Sequence, residues 1–514
     1  MPSFAAIHIG SETVSLQIVE YKDVDDIRVL DRARRQMDLG EEAFKSGQIS
    51  FASVSEICEL LKGFRRLCSE YGVRDCRVMA TTALREAENQ QYIIDQIRIK
   101  TGLEVEIVDM PQEIFYKYMA LFKHLQTSGL ANTEDGLLFV DISSGGTGIT
   151  LYRQGAIRYQ QNINIGAMRI KESFAQNQRD DVCFQQVLDE YIESAIDPIA
   201  VALMGQRSPY LVLTGNETRL LLQLLGHSEG LAVLSPKELK DLYRKVRRLN
   251  LPELMTRFDL NEADAALVIP ALGLYCKMME VAAVDHVLVP TLRFIDGMTL
   301  LHVAEKTDSR WLDVMEEHTF SVVKALEDKF HYDKAHASVV EEFSLLLFDK
   351  LNRYHGLGRR ERLMLRAAAH LHDIGKFVNL RRHYFYSYRL IESADILGIS
   401  RSEKRIIANV SYYHSKGTPN NADENFTRLS NKAKLTVAKL SAIIRLADAL
   451  DRSHRQKITD CSVQIKGDEM LVNVKAREDL SLEEWTFAEK AEFFESVFGL
   501  KARVVGTIGG NHGT

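Results

Sequence analysis

Cysteine is scarce and unsuitably spaced for structural use. The 6 cysteines among 514 residues, Cys58, Cys68, Cys76, Cys183, Cys276 and Cys461, form no CxxC pair and no metal-finger spacing. A disulfide scaffold and a thiolate metal site are therefore excluded, and the thiols are expected to be reduced, as in a cytosolic protein. Long hydrophobic runs are missing too, none approaching the roughly 18 residues of a membrane span. The opening Met1-Pro2-Ser3-Phe4-Ala5 has neither a basic start nor a signal-peptide core. A cytoplasmic location without a membrane partner is expected. Net charge is small: a formal value of -6 reports solubility and argues against a dedicated nucleic-acid binder.

At 46% hydrophobic and 26% charged, the chain is ordinary globular material. Its 514 residues exceed what one hydrophobic core holds and suggest three or four domains. Phe4-Ala5-Ala6-Ile7-His8-Ile9, Gly10-Ser11-Glu12-Thr13 and Val14-Ser15-Leu16-Gln17-Ile18-Val19 read as strand, turn and strand. The pattern recurs in Leu137-Leu138-Phe139-Val140-Asp141-Ile142, Ser143-Ser144-Gly145-Gly146-Thr147-Gly148 and Ile149-Thr150-Leu151-Tyr152. Such a repeat implies two similar lobes facing one another. Small residues in both turns let backbone N–H groups and hydroxyls approach phosphate oxygens, so the hairpins together could grip a phosphate chain. Between them, helices over 53–71, 91–101 and 111–126 alternate with strands over 76–80 and 105–108, which predicts an α/β lobe.

The second half reads differently. His372-Asp373 follows the helical run Leu363-Met364-Leu365-Arg366-Ala367-Ala368-Ala369, with Gly375 as the expected helix stop. His336 and Asp448 lie in further helical patterns. Three helices could bring an imidazole, a His-Asp pair and a carboxylate to one point, a nitrogen and oxygen set suited to Mn, Fe, Mg or Zn. Strands over 462–466, 469–475 and 502–505 with a helix over 482–498 form a small α+β cap.

The order His336, His372-Asp373, Asp448 resembles the HD superfamily of metal-dependent phosphohydrolases. His414 and His383 match further histidines near the metal in that branch, while Tyr384 and Tyr386 stand where others are common. The first 300 or so residues resemble the exopolyphosphatase and guanosine pentaphosphate phosphohydrolase (Ppx/GppA) family. The similarity is carried by Ala5-Ala6-Ile7-His8-Ile9-Gly10-Ser11, Ser46-Gly47-Gln48-Ile49-Ser50, Ala80-Thr81-Thr82-Ala83-Leu84-Arg85-Glu86-Ala87, Val140-Asp141-Ile142 with its turn, Ile165-Gly166-Ala167-Met168-Arg169 and Leu211-Val212-Leu213-Thr214-Gly215-Asn216.

This resemblance implies a two-lobed actin-like (ASKHA) fold over 1–128 and 129–300, a helical HD-type domain over 301–458 and the cap over 459–514. It implies Glu113 as the catalytic carboxylate that prepares water, Asp141 as holder of Mg²⁺ and Arg85 as a phosphate contact. Gly10, Ser11, Gly145, Gly146, Thr147 and Gly215 would cradle the phosphates. Polyphosphate or a guanosine pentaphosphate-like nucleotide is the expected substrate, and a homodimer the expected assembly. Three departures stand out: His8 where the family has aspartate, Gly148 where it has glutamate, and Ser143-Ser144 in place of two glycines. Two alternatives stay open: an HD-domain nucleotide phosphohydrolase, in which the better-preserved histidine and aspartate motif owns the activity, or a non-catalytic polyphosphate or alarmone sensor, which His8 and Gly148 keep in play.

Overall fold

Strand β1 (Ser3–Ile9) is buried on both faces, which is why it reads as a continuous apolar run rather than an alternating one. It pairs antiparallel with β2 (Thr13–Tyr21) and parallel with β4 (Asp75–Ala80). With β3 (Ile27–Gln36) and β5 (Val105–Ile107) the sheet order is β3-β2-β1-β4-β5. Ala5, Ile7 and Ile9 pack on one side against Val54, Ile57 and Leu61 of the helix Phe51–Glu70 and Ile93 and Ile97 of the helix Gln90–Thr101. Phe4 and Ala6 point the other way, as the two-residue period of a strand requires. There they meet Tyr116 of the helix Met110–Thr127 and Phe294, Ile295 and Met298 of the helix Phe294–Lys306. Gly297 allows this crossing: a Cβ there would lie 2.0 Å from the Tyr116 carbonyl oxygen.

The structure is a computed structural model and describes residues 1–127, 129, 136–143, 145–179, 181, 183–206, 208–215, 217–227 and 230–508. Ser144, Asn216 and the tail over 509–514 lie outside the described residues.

The second sheet repeats the first hairpin with β6 (Leu137–Ile142) and β7 (Thr147–Arg153). It continues through β8 (Ala156–Ile163), β9 (Tyr210–Gly215), β10 (Leu231–Leu234) and β11 (His286–Pro290) in the order β10-β11-β9-β6-β7-β8. Its core is organised around the helix Glu262–Ala282. That helix corrects one expectation, because it is long and apolar enough by composition to cross a membrane. Most of its apolar length is instead buried in this lobe, with Leu267, Leu272, Leu274 and Met278 in the core.

Cα packing divides the chain into two compact units, Met1–His318 and Thr319–Thr514. The first runs beyond residue 300 because the chain returns, through the helix Phe294–Lys306, to cover the first sheet. In the second unit the helices Lys334–Lys350, Arg359–Leu371, Arg401–Tyr413 and Asn431–Ala449 pack together. The helix Ser481–Phe498 joins Asn431–Ala449 to a sheet ordered β12-β13-β14, formed by β12 (Ile458–Lys466), β13 (Glu469–Ala476) and β14 (Lys501–Ile508).

Gly375 does not act as a left-handed helix stop. The helix ends at Leu371, and Gly375 lies inside the 3-10 turn Ile374–Phe377. Glycine is required there by proximity, since a Cβ would sit 2.1 Å from the His383 carbonyl oxygen and 2.4 Å from the Ser387 amide.

Candidate functional site

The turns of β1–β2 and the loops after β6 and β9 open onto a cavity of about 430 Å³ in the first unit. Gly10, Ser11, Gly215 and Glu113 lie on its wall, as do His8 and Ser143. Gly145, Gly146 and Thr147 are not among its described lining residues. Each has one polar group engaged within its own lobe: the Gly145 carbonyl accepts from Arg169 Nε at 2.9 Å, Gly146 N–H donates to Ser143 Oγ at 3.3 Å, and Thr147 Oγ1 donates to the Ile165 carbonyl.

Glu113 and Asp141 are brought together by a residue that sequence reasoning missed. Lys117 stands one turn beyond Glu113 on the same helix, the spacing at which side chains share a helix face. Its ammonium donates to Glu113 Oε1 at 3.1 Å and Asp141 Oδ2 at 2.9 Å. The other Asp141 oxygen accepts from Thr214 Oγ1 at 2.6 Å. Glu113 Oε2 accepts from Arg85 Nη1 at 3.2 Å, and Arg85 also donates to the Val108 carbonyl and to Thr82 Oγ1. Burial opposes the Glu113 charge, but Lys117 and then Arg85 outweigh it and hold the carboxyl at about 2. Burial likewise opposes the charge on Lys117, yet Asp141 and Glu113 keep its ammonium above the ordinary lysine range. A lysine in an otherwise apolar helix stretch was the available signal.

The family-implied Mg²⁺ on Asp141 does not fit these residues. Each oxygen of both carboxylates already accepts a hydrogen bond, and their two negative charges are matched by Lys117 and Arg85. A divalent ion on Asp141 would have to displace or adjoin a buried ammonium. Among the described residues, no cluster of potential metal ligands includes Glu113 or Asp141.

The departures at His8 and Gly148 have local causes. His8 Nε2 lies 3.0 Å from Thr81 Oγ1, and burial pushes its imidazole down to about 4, so it is neutral where an aspartate would be charged. Gly148 is buried against Ile114, whose Cδ1 would be 2.3 Å from any added Cβ. The isoleucine occupies the space a glutamate needs. Gly148→Glu is therefore expected to destabilise the fold by at least about 3 kcal/mol, through overpacking and an unpaired buried charge. Chemical denaturation of Gly148→Glu against Gly148→Glu/Ile114→Gly checks this, the second substitution restoring part of the loss.

Glu217 was also missed. It is buried beyond β9, neither of its carboxyl oxygens has a hydrogen-bond partner on another residue, and burial followed by the nearby Glu12 charge pushes it up to about 8.

In the second unit His336, His372, Asp373, His383, His414 and Asp448 converge. His336 Nε2 is 3.3 Å and His372 Nε2 3.7 Å from Asp448 Oδ1. His383 Nε2 and His414 Nε2 lie 3.3 and 3.4 Å from Asp373 Oδ1. The opposite ring nitrogens fix the orientation: Nδ1 of His372, His414 and His383 meets the carbonyls of Ala369, Ser411 and Leu380 at 2.8, 2.6 and 3.1 Å. A carbonyl can only accept, so each Nδ1 carries a proton, and in the neutral ring that a metal ligand requires Nε2 turns a lone pair inward. His336 Nδ1 is held in the same way by Asp451 Oδ2 at 2.9 Å. These are the supporting bonds that metal-binding histidines normally have.

Two buried atoms of the cluster, His336 Nε2 and Asp373 Oδ1, make no hydrogen bond. Burial holds the His372 imidazole down at about 3, the neutral form a ligand needs. Burial opposes a charge on His336, but Asp448 and then Asp451 carry it up to about 9, a sign of surplus negative charge awaiting a cation. The donor set fits a divalent ion. Sequence reasoning missed Asp451, Tyr332, whose hydroxyl donates to Asp373 Oδ2 at 3.2 Å, and His454, stacked on His336 at 3.7 Å. His370, beside the pair in sequence, turns away to Glu327 and Glu341. Lys376 pairs with Asp373.

The model of the Ppx/GppA phosphatase family matches residues 17–290, and that of Ppx/GppA phosphatase domain III matches 320–490. The chain belongs to the Ppx/GppA phosphatase family. Among Ppx/GppA relatives, a guanosine-5'-triphosphate,3'-diphosphate pyrophosphatase from Photobacterium profundum is 22% identical over 414 residues, covering 79% of each chain. One of the same name from Aliivibrio fischeri is 19% identical over 505 residues, 94% of this chain and 95% of the relative. In structure, the Ppx/GppA family member of Aquifex aeolicus aligns with a TM-score of 0.51 at 21% identity, over 60% of this chain and 99% of that one. An exopolyphosphatase from Cytophaga hutchinsonii aligns with a TM-score of 0.53 at 19% identity, over 59% and 98%. The first unit thus has the two-lobed actin-like fold of these Ppx/GppA neighbours, and hydrolysis of phosphoanhydrides is the activity that the names of its relatives support.

Proposed function

We propose that this chain is a metal-dependent phosphohydrolase of phosphoanhydrides whose hydrolytic centre is the histidine and aspartate cluster of the second unit, an HD-superfamily site. The interlobe cavity then binds a phosphate chain. The observation that carries this reading is the set of four imidazoles, each with Nδ1 tied back and Nε2 turned toward Asp373 and Asp448. His336, His372, Asp373 and Asp448 would hold the ion, with His383 and His414 completing the set. A divalent ion held there supplies Lewis acidity for attack of water on phosphorus. Lys376 and the Tyr332 hydroxyl, both in contact with Asp373, orient that carboxylate and offer donors to phosphoryl oxygens. Inorganic polyphosphate and a guanosine pentaphosphate-like nucleotide are the substrates the relatives' names favour.

A second reading keeps hydrolysis in the interlobe cavity, and it is favoured by Glu113 on the cavity wall, tied directly to Arg85 and through Lys117 to Asp141, two residues that stand behind that wall rather than in its described lining. Glu113, however, is held at about 2 by Lys117 and Arg85, far from the near-neutral value that suits a general base. Glu113→Gln is therefore expected to leave phosphate release within a few-fold of the parent. Release from tripolyphosphate and guanosine pentaphosphate, measured by phosphate detection, checks this. Loss of about 10² or more on Glu113→Gln would move the chemistry to the interlobe cavity.

A further inference from the structure

The interlobe cavity contains a positive charge built from the chain itself. Lys117 lines that cavity, and its neighbours Glu113 and Asp141 take two of its three ammonium donors. It stands between the two carboxylates through which a divalent ion would otherwise be held. Arg85 on Glu113 and the Thr214 hydroxyl on Asp141 complete their coordination, so the four charged groups are balanced before any ligand enters. Arg32, Arg34, Arg219 and Arg293 stand along the same cavity, with Glu12 as the opposing acid.

We propose that Lys117 is the fixed cation of this cleft, so that a phosphoanhydride chain binds there as the free polyanion and needs no divalent metal. The inference rests on the reading of the cleft as a phosphate-binding site and adds to it the ionic form of the ligand. Its ammonium neutralises the two carboxylates in the place a bound metal would take and keeps one donor unspent for a phosphoryl oxygen, while the arginines along the cavity meet the charge of the polyanion. Magnesium in solution then competes: it withdraws the free polyanion into a less charged complex that this cleft holds more weakly.

The test is isothermal titration of the full chain with sodium tripolyphosphate, in EDTA and in excess MgCl₂. Binding in EDTA, weakened by MgCl₂, is the expected result. Lys117→Met, which keeps the length and removes the charge, is expected to weaken the EDTA affinity by at least about 30-fold, the loss usual when one partner of a buried charge pair is truncated. Unchanged EDTA affinity in Lys117→Met overturns the inference. So does wild-type binding that appears only with MgCl₂, a comparison that stands even if Lys117→Met fails to fold. In that case hydrolysis through His372 is untouched, whereas absence of binding in both buffers removes the cleft as a phosphate site altogether.

Discussion

Replacing His372 by alanine or Asp373 by asparagine is expected to lower phosphate release from tripolyphosphate or guanosine pentaphosphate by about 10³-fold or more. That follows from the several kcal/mol of charge stabilisation a divalent ion gives a phosphoryl transition state. Elemental analysis is expected to show bound metal in the parent and none in the same variants. Asp373 is the more informative position, because Oδ1 faces His383 and His414 while Oδ2 accepts from Tyr332. Asparagine keeps the shape and removes one acceptor and the charge. Dialysis against a chelator should reproduce the loss in the parent, and readdition of Mn, Fe, Mg or Zn should reverse it selectively. Metal binding should also release protons, since His336 sits at about 9 without a cation and must lose its proton to become a ligand. Variants that lose their metal yet keep full phosphate release would remove the hydrolytic role of the cluster.

Much of this site was legible because chemistry there follows residue type in order. His336, His372-Asp373 and Asp448 lie on separate helices whose apolar patterns are plain in the sequence, and the fold brings them together as that pattern requires. The duplicated strand-turn-strand pattern likewise became two antiparallel hairpins at the starts of two sheets. What was not legible depends on long-range packing. Lys117 meets Asp141 across 24 residues of chain, and nothing local says that a helix lysine will be buried between two acids rather than solvated. Ile114 taking the volume beside Gly148 is a tertiary fact of the same kind. Gly375 looked like a helix stop because glycine often is one; only the approach of His383 and Ser387 shows that it is there for space.

Glu217 gives a large expected effect of pH on stability between about 4.5 and 8. Its folded-state value of about 8 lies above the ordinary glutamate value of 4.5, because burial and then Glu12 penalise its charge. The sign follows from linkage. Between those two values the unfolded chain is ionised at this position and the folded chain is protonated, so the native state binds the extra proton and loses stability as pH rises. The contribution is fully present below about 4.5 and gone above about 8, a change on the order of a few kcal/mol. Glu217→Gln keeps the shape without a titrating proton. Its stability relative to the parent, from denaturant melts, should therefore be near zero at pH 5 and rise by a few kcal/mol by pH 9. The comparison with the variant is essential, because metal-free His336 titrates in an overlapping window and lowers stability in the same direction as its own proton is lost near 9. Both proteins carry that second effect, so it cancels in the difference. A gap between variant and parent that is constant from pH 5 to pH 9 would mean that Glu217 is not protonated in the folded chain. The second lobe would then have to supply a cation for it that the residues facing it, Glu12, Asp141 and the already committed Lys117, do not provide.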